Sequence, residues 1–224
     1  MSAGDCRIVV LISGGGTNLQ ALIDATARGD IPGRIVGVIS NRPEAGGLQR
    51  AARTGIPTAV VDHTAYPDRE RFDAALAEAI DAWRPDLVCL AGFMRILTPG
   101  FVARYAGRLF NIHPSRLPRF RGLDTHARAL AAGEAEHGAS IHFVTEELDG
   151  GPVILQSRLP VQAHHDPASL AADVLRTEHV IYPLAVRWFC QGRLALREGR
   201  VLFDGRPLAA PLQLDELDPA ELPA

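Results

Sequence analysis

The stretch Arg7-Ile8-Val9-Val10-Leu11-Ile12-Ser13-Gly14-Gly15-Gly16-Thr17-Asn18 decides the fold. Its apolar, β-branched half has no polar alternation, the pattern of a strand covered on both faces. The glycines then turn the chain, and helical spacing resumes over Asn18–Ala27. A strand, a glycine turn and a helix make the opening unit of a parallel α/β sheet. The same alternation continues outward. Arg34–Ser40, Thr58–Asp62, Asp86–Ala91 and Leu109–His113 read as further strands, with helices predicted over Gly46–Thr54, Asp68–Trp83 and Pro99–Tyr105.

The predicted class is therefore α/β, with a Rossmann-like, mostly parallel twisted sheet and helices on both faces. Beyond it, Thr125–Ala132 reads as a helix closed by Gly133. Ser140–Thr145 and Val153–Leu159 read as neighbouring strands around Asp149-Gly150-Gly151. A long amphipathic helix over Pro167–Cys190 precedes a C-terminal β-hairpin, Gly192–Phe203, turning at Gly199. One domain over residues 1–210 is expected, with an acidic, Pro-rich and flexible tail over 211–224.

Bulk composition narrows the function. The chain has 224 residues, 47% hydrophobic and 22% charged, with a net charge of −3. That balance gives no electrostatic case for nucleic acid or an anionic membrane. No apolar run approaches the roughly 20 residues of a membrane span, and no signal peptide is recognisable at Met1–Arg7. Cys6, Cys89 and Cys190 are scattered without metal or disulfide spacing, so free thiols and a cytoplasmic location are expected. Every cation apart from histidine is Arg, so a Schiff-base or phosphate-loop lysine is excluded.

Ligands of open parallel sheets sit at the carboxyl ends of strands. Three segments fall there. Ser13–Asn18 can converge backbone N–H groups on an anion at a helix start, with Thr17 and Asn18 adding side-chain donors. It lacks the Lys of a Walker loop and the third Gly of a dinucleotide fingerprint, since Leu19 follows Asn18. A monophosphate site and a plain capped turn are its two readings. Leu90-Ala91-Gly92-Phe93-Met94-Arg95-Ile96-Leu97 can wall a pocket for a flat ring, or pack as core.

The third is Leu109-Phe110-Asn111-Ile112-His113-Pro114-Ser115. Asn111 and His113 are two apart at a strand end and share a face. An amide that steadies an oxyanion beside an imidazole that moves protons suits acyl or formyl transfer. Asp149 could hold and charge that His, or serve only its Asp-Gly turn. His63, His126, His137 and His179 make no metal-ligand spacing, so no metal is expected. His164 and His165 are expected to be solvated.

These residues make the chain resemble the phosphoribosylglycinamide formyltransferases (glycinamide ribonucleotide transformylases), folate-dependent enzymes of purine synthesis. The carriers are Ser13–Gln20, Ala91–Leu97, Asn111–Ser115, Glu136-His137-Gly138 through Leu155-Gln156, and Glu178-His179 before Ile181-Tyr182-Pro183. The resemblance implies formyl transfer from 10-formyltetrahydrofolate to the glycine amine of glycinamide ribonucleotide. It implies a catalytic trio of Asn111, His113 and Asp149, the carboxylate favouring the protonated ring. Gly16, Thr17 and Asn18 would hold the ribonucleotide phosphate, with Glu178 nearby. Met94, Arg95, Ile96 and Leu97 would border the pterin with Asn111, Val144 would line the folate cleft, and Arg69 would approach its glutamate end. The partners implied are small molecules, with neither metal nor nicotinamide, and the chain would be a monomer or homodimer. Gly15 and Arg116 depart from the usual pattern, where relatives often carry a polar residue and a Leu.

Other readings share parts of this pattern. A formyltetrahydrofolate deformylase would use water in place of the amine and carry an extra N-terminal domain. A methionyl-tRNA formyltransferase would need a further C-terminal domain that contacts RNA, and the acidic balance disfavours tRNA. A non-catalytic sensor would show a degraded trio. A nicotinamide-dependent dehydrogenase would need the full glycine fingerprint.

Overall fold

A computed structural model describes residues 6–222. The chain divides into two compact units between Asn111 and Ile112. The first contains β1 (Cys6–Ile12), α1 (Thr17–Arg28), β2 (Gly33–Ser40), α2 (Gly46–Arg53), β3 (Thr58–Val60), α3 (Arg69–Asp81), β4 (Leu87–Leu90) and α4 (Pro99–Arg104). The boundary between the units falls inside β5 (Leu109–His113).

The strands of this unit are ordered β5-β4-β1-β2-β3, and every neighbouring pair is parallel. Val9 pairs with Gly37 and Ile12 with Ser40. Gly37 and Ser40 are three apart, so these two rungs face opposite sides of the sheet. A Cβ on Gly37 would meet the Trp83 ring, just past α3, at 2.3 Å, while one on Gly47 in α2 would meet Ile12 Cδ1 at 2.5 Å. Helical segments therefore cover both faces, which is why Ile8–Ile12 has no polar alternation and is buried throughout. Local chemistry sets the helix starts. Asp68 caps α3 by accepting from the Arg71 N–H, and Thr98 caps α4 ahead of Pro99.

The second unit contains α5 (Thr125–Ala131), β6 (Glu136–His137), β7 (Ser140–Phe143), β8 (Val153–Gln156), β9 (Leu159–Pro160), α6 (Pro167–Cys190), β10 (Leu194–Arg197), β11 (Arg200–Phe203), β12 (Arg206–Pro207) and β13 (Leu212–Gln213). β7 and β8 are antiparallel, and β13 joins the other side of β8 in parallel. Across both units the main strands are mixed and mostly parallel, as predicted. A capping box between Asp166 and Ser169 starts α6, with Pro167 in its first turn. The helix buries Leu170, Val174, Ile181, Leu184, Ala185 and Trp188.

Several expectations need correction. The C-terminal hairpin acquires a third strand, β12, antiparallel to β11. The segment read as a flexible tail holds β13 and two short 3-10 helices. Glu221 accepts from Trp188 Nε1 at 2.8 Å and from Arg193 Nη1 at 2.8 Å, and it also pairs with Arg187. Composition alone suggested disorder, and it carried no sign of these partners. Cys89 is buried and forms no disulfide, as expected, whereas Cys6 and Cys190 each stand in a disulfide. Nothing in their spacing signals that. His165 is not solvated: its side chain is 2% exposed and bonds Asp173 Oδ2 and the Gln162 N–H.

Candidate active site

In the first unit, the strand order reverses direction between β1 and β4, and ligands of open sheets bind at such switch points. The predicted phosphate loop leaves the end of β1 there, and the Gly92–Leu97 segment leaves the end of β4. Ser13 joins them. Its hydroxyl accepts from the Met94 N–H at 2.7 Å and donates to Asn41 Oδ1 at 2.5 Å. Gly16 is left-handed, with φ 71°, and its missing Cβ would lie 2.7 Å from Gly47 Cα. Only Gly lets the loop lie this close to α2. Gly16 also gives α1 no side-chain cap, so its first N–H groups keep no protein acceptor from that position. Arg50 braces the loop from α2, donating from Nε to the Gly15 carbonyl at 2.7 Å.

The Gly92–Leu97 segment presents an unusual surface. Met94 is 60% exposed and Ile96 56% exposed, while Phe93 turns inward. Two large apolar side chains held in water on one short segment mark a ligand wall more than a core. The buried carboxylate of Asp73 fixes its far end, accepting from the Thr98 N–H at 2.6 Å. Arg95 lies over Phe72, with 5.8 Å from Cζ to the ring centroid. Arg69 sits exposed in the first turn of α3.

Asn111 and His113 occupy alternate positions of β5. In the second unit, His113 meets Asp149, with Nδ1 3.4 Å from Oδ2 and side chains only 7% and 8% exposed. His113 Nε2 contacts the Phe120 carbonyl at 2.9 Å. The same Asp149 oxygen accepts from the Gly122 N–H at 2.9 Å. Asp149 itself is left-handed, with φ 48°. The glycines after it are a steric need: a Cβ on Gly151 would lie 1.8 Å from the Phe143 carbonyl oxygen.

Sequence reasoning missed the groups that hold this pair. The ladder of β7 and β8 shifts register between Ile141 and His142, and such irregularities re-aim side chains beside active sites. His142 is 2% exposed, its Nε2 3.8 Å from Asp149 Oδ1, and burial holds its pKa below the ordinary value. Ser140 accepts from the Leu117 N–H and donates to the Ser115 carbonyl, while Gln156 donates to the Leu117 carbonyl. These bonds pin the segment after His113 to β7 and β8. The only sequence signal for them was polar residues inside apolar strands. His137 bonds His126 at 3.2 Å, and its pKa is pushed down to about 4, by burial first and then by the neighbouring imidazoles. Val144 follows β7 partly exposed, and Glu178 is buried on α6. Among the described residues, no group of three or more His, Cys, Asp or Glu side chains could hold a metal ion, and no helix is long and apolar enough to cross a membrane.

Comparison with known proteins identifies the family. The model of the formyl transferase family matches residues 6–186. Phosphoribosylglycinamide formyltransferase of Escherichia coli is 53% identical over 90% of this chain and 95% of its own length. The enzyme of that name from Haemophilus influenzae is 45% identical over the same shares. The solved structure of phosphoribosylglycinamide formyltransferase from Coxiella burnetii is 49% identical with a TM-score of 0.90, covering 93% of this chain and 99% of that one. With a family match spanning most of its length and relatives this similar over nearly their whole chains, the protein belongs to the formyl transferase family.

Proposed function

We propose that this protein transfers the formyl group of 10-formyltetrahydrofolate to the glycine amine of glycinamide ribonucleotide, a step of purine biosynthesis. The observation that carries the reading is the buried pair of His113 and Asp149, which come from separate segments of the chain. The names of relatives similar over nearly their whole length support a phosphoribosylglycinamide acceptor, and the family resemblance supports the folate donor.

The neutral amine attacks the formyl carbon, and the C–N bond forms as the carbonyl electrons move to oxygen. The side-chain amide of Asn111 and the imidazolium of His113 stabilise that oxyanion. Asp149 compensates the charge on the ring and keeps it oriented. The intermediate then collapses. His113, or a water held by Asp149, gives a proton to the folate nitrogen, which leaves with the electron pair, and the proton lost by the attacking nitrogen then restores that donor. His113 Nε2 contacts the Phe120 carbonyl, and in the proposed reaction the substrate oxygen takes that acceptor's place. Gly16, Thr17 and Asn18 hold the ribonucleotide phosphate, with Glu178 near the ribonucleotide. Met94, Arg95, Ile96, Leu97 and Val144 border the folate, and Arg69 meets its glutamate end. The reaction so written needs neither metal nor nicotinamide.

The test is an assay with purified protein and both substrates. Formyl-glycinamide ribonucleotide and tetrahydrofolate should accumulate in equal amounts, and only when the ribonucleotide is present. Formate release without the ribonucleotide would identify a hydrolase instead.

A further inference from the structure

We infer that Arg128 is a positioning residue for the catalytic pair, acting through the single peptide unit that joins Arg121 to Gly122. The inference rests on the catalytic reading of His113 and Asp149 proposed above. Arg128 lies exposed on α5, and its Nη1 donates to the Arg121 carbonyl at 2.6 Å and to the Leu123 carbonyl at 3.2 Å. The N–H of that same Arg121–Gly122 peptide donates to Asp149 Oδ2 at 2.9 Å. That oxygen faces His113 Nδ1 at 3.4 Å. The order of contacts is guanidinium, peptide carbonyl, peptide N–H, carboxylate, imidazole.

Amide resonance couples the two ends of the peptide. A cation on the carbonyl draws density from the nitrogen and makes its N–H a stronger donor, so bonds in such a chain reinforce one another. A further contact reaches the Phe120 side chain. The Arg128 guanidinium lies 5.5 Å from the Phe120 ring centroid, a cation–π distance. The Phe120 carbonyl is the group facing His113 Nε2. Arg128 therefore holds the peptide that bonds the carboxylate facing Nδ1 and the side chain of the residue whose carbonyl faces Nε2.

The loop needs such a hold. Phe120, Gly122 and Asp124 are all left-handed, with φ of 53°, 79° and 57°. Two of the three are not Gly, and each such residue costs on the order of 1 kcal/mol. Asp124 caps α5 with no side-chain bond. A second brace comes from the Arg121 side chain, which pairs with Glu147 on the segment leading to Asp149. Lysine would supply charge without the planar fork that reaches two carbonyls and lies over a ring.

The experiment compares the full chain with its Arg128→Ala, Arg128→Gln and Arg128→Lys variants. It measures kcat and KM for both substrates, the thermal midpoint, and the Gly122 amide proton resonance by NMR. In the Ala and Gln variants the Gly122 resonance should move upfield, and kcat should fall by about 10- to 100-fold. KM for each substrate should stay within about twofold and the thermal midpoint should hold, because the side chain is exposed. Arg128→Lys should recover part of kcat. The inference is overturned by an unmoved Gly122 resonance, by unchanged kcat in an active background, or by a loss carried wholly in KM. A wild-type protein that turns over no glycinamide ribonucleotide would instead refute the proposed function. The resonance would still decide the hydrogen-bonded chain.

Discussion

At the scale of single residues, the proposed chemistry rests on three side chains with unequal surroundings. Asn111 and His113 share a strand end, while Asp149 arrives on a left-handed turn. Removing one oxyanion donor typically raises a barrier by about 2.7–4 kcal/mol. His113→Ala and Asn111→Ala should each lower kcat by about 10²- to 10³-fold while the folded circular dichroism spectrum is kept. Near-normal turnover by purified His113→Ala protein would sink the mechanism. His137 gives a pH signature. Its folded pKa is about 4 against an ordinary 6.5, because burial and then the neighbouring imidazoles disfavour its charge. Between those values the unfolded chain binds more protons than the folded one, so stability present above about pH 6.5 is lost as pH falls toward about 4. Denaturant midpoints across that window should decline with acid, and His137→Gln should flatten the decline.

At the scale of elements, the candidate site residues of each unit lie on strand ends and the turns that follow them. Gly151 shows how tightly one such turn is fitted. In Gly151→Ala the new methyl would collide with the Phe143 carbonyl, a backbone group that cannot swing aside. Overpacking of this kind costs about 1–3 kcal/mol, occasionally more. A thermal midpoint equal to wild type would show that the turn relaxes freely. The elements themselves were legible because their signals are local. Leu109–His113 and Pro167–Cys190 were read to the residue, and the other main strands and helices within a few residues. Two-residue pairings such as β6 with β9 were not, because so short a segment has no periodicity. The site was legible in part for a related reason. His113 shows itself by residue type and neighbours, whereas Asp149 reads equally as a turn residue until the family resemblance pairs it with His113. His142 depends on a register shift, and Gly122 on a backbone N–H, neither of which has a sequence signature.

At the scale of the whole molecule, the segment from Pro211 is tied down by β13 and by Glu221. Burial alone would raise the Glu221 carboxyl, yet the bonds from Trp188 and Arg193 and the charges of Arg193 and Arg187 hold it below its ordinary value. Hydrogen bonds to charged groups contribute about 1.5–3 kcal/mol each in favourable cases. Glu221→Ala should therefore destabilise the fold by about that amount in urea denaturation. A loss indistinguishable from zero would mean that the cluster is a surface ornament. β13 has one more consequence, for synthesis. Its Leu212 and Gln213 pair with Leu155 and Gln156 of β8. On the ribosome, β8 emerges long before its neighbour exists. One edge of that strand stays open while α6 and the strands after it are being translated. Unpaired edges recruit other chains, so nascent chains stalled short of Leu212 should aggregate through this strand far more readily than finished ones.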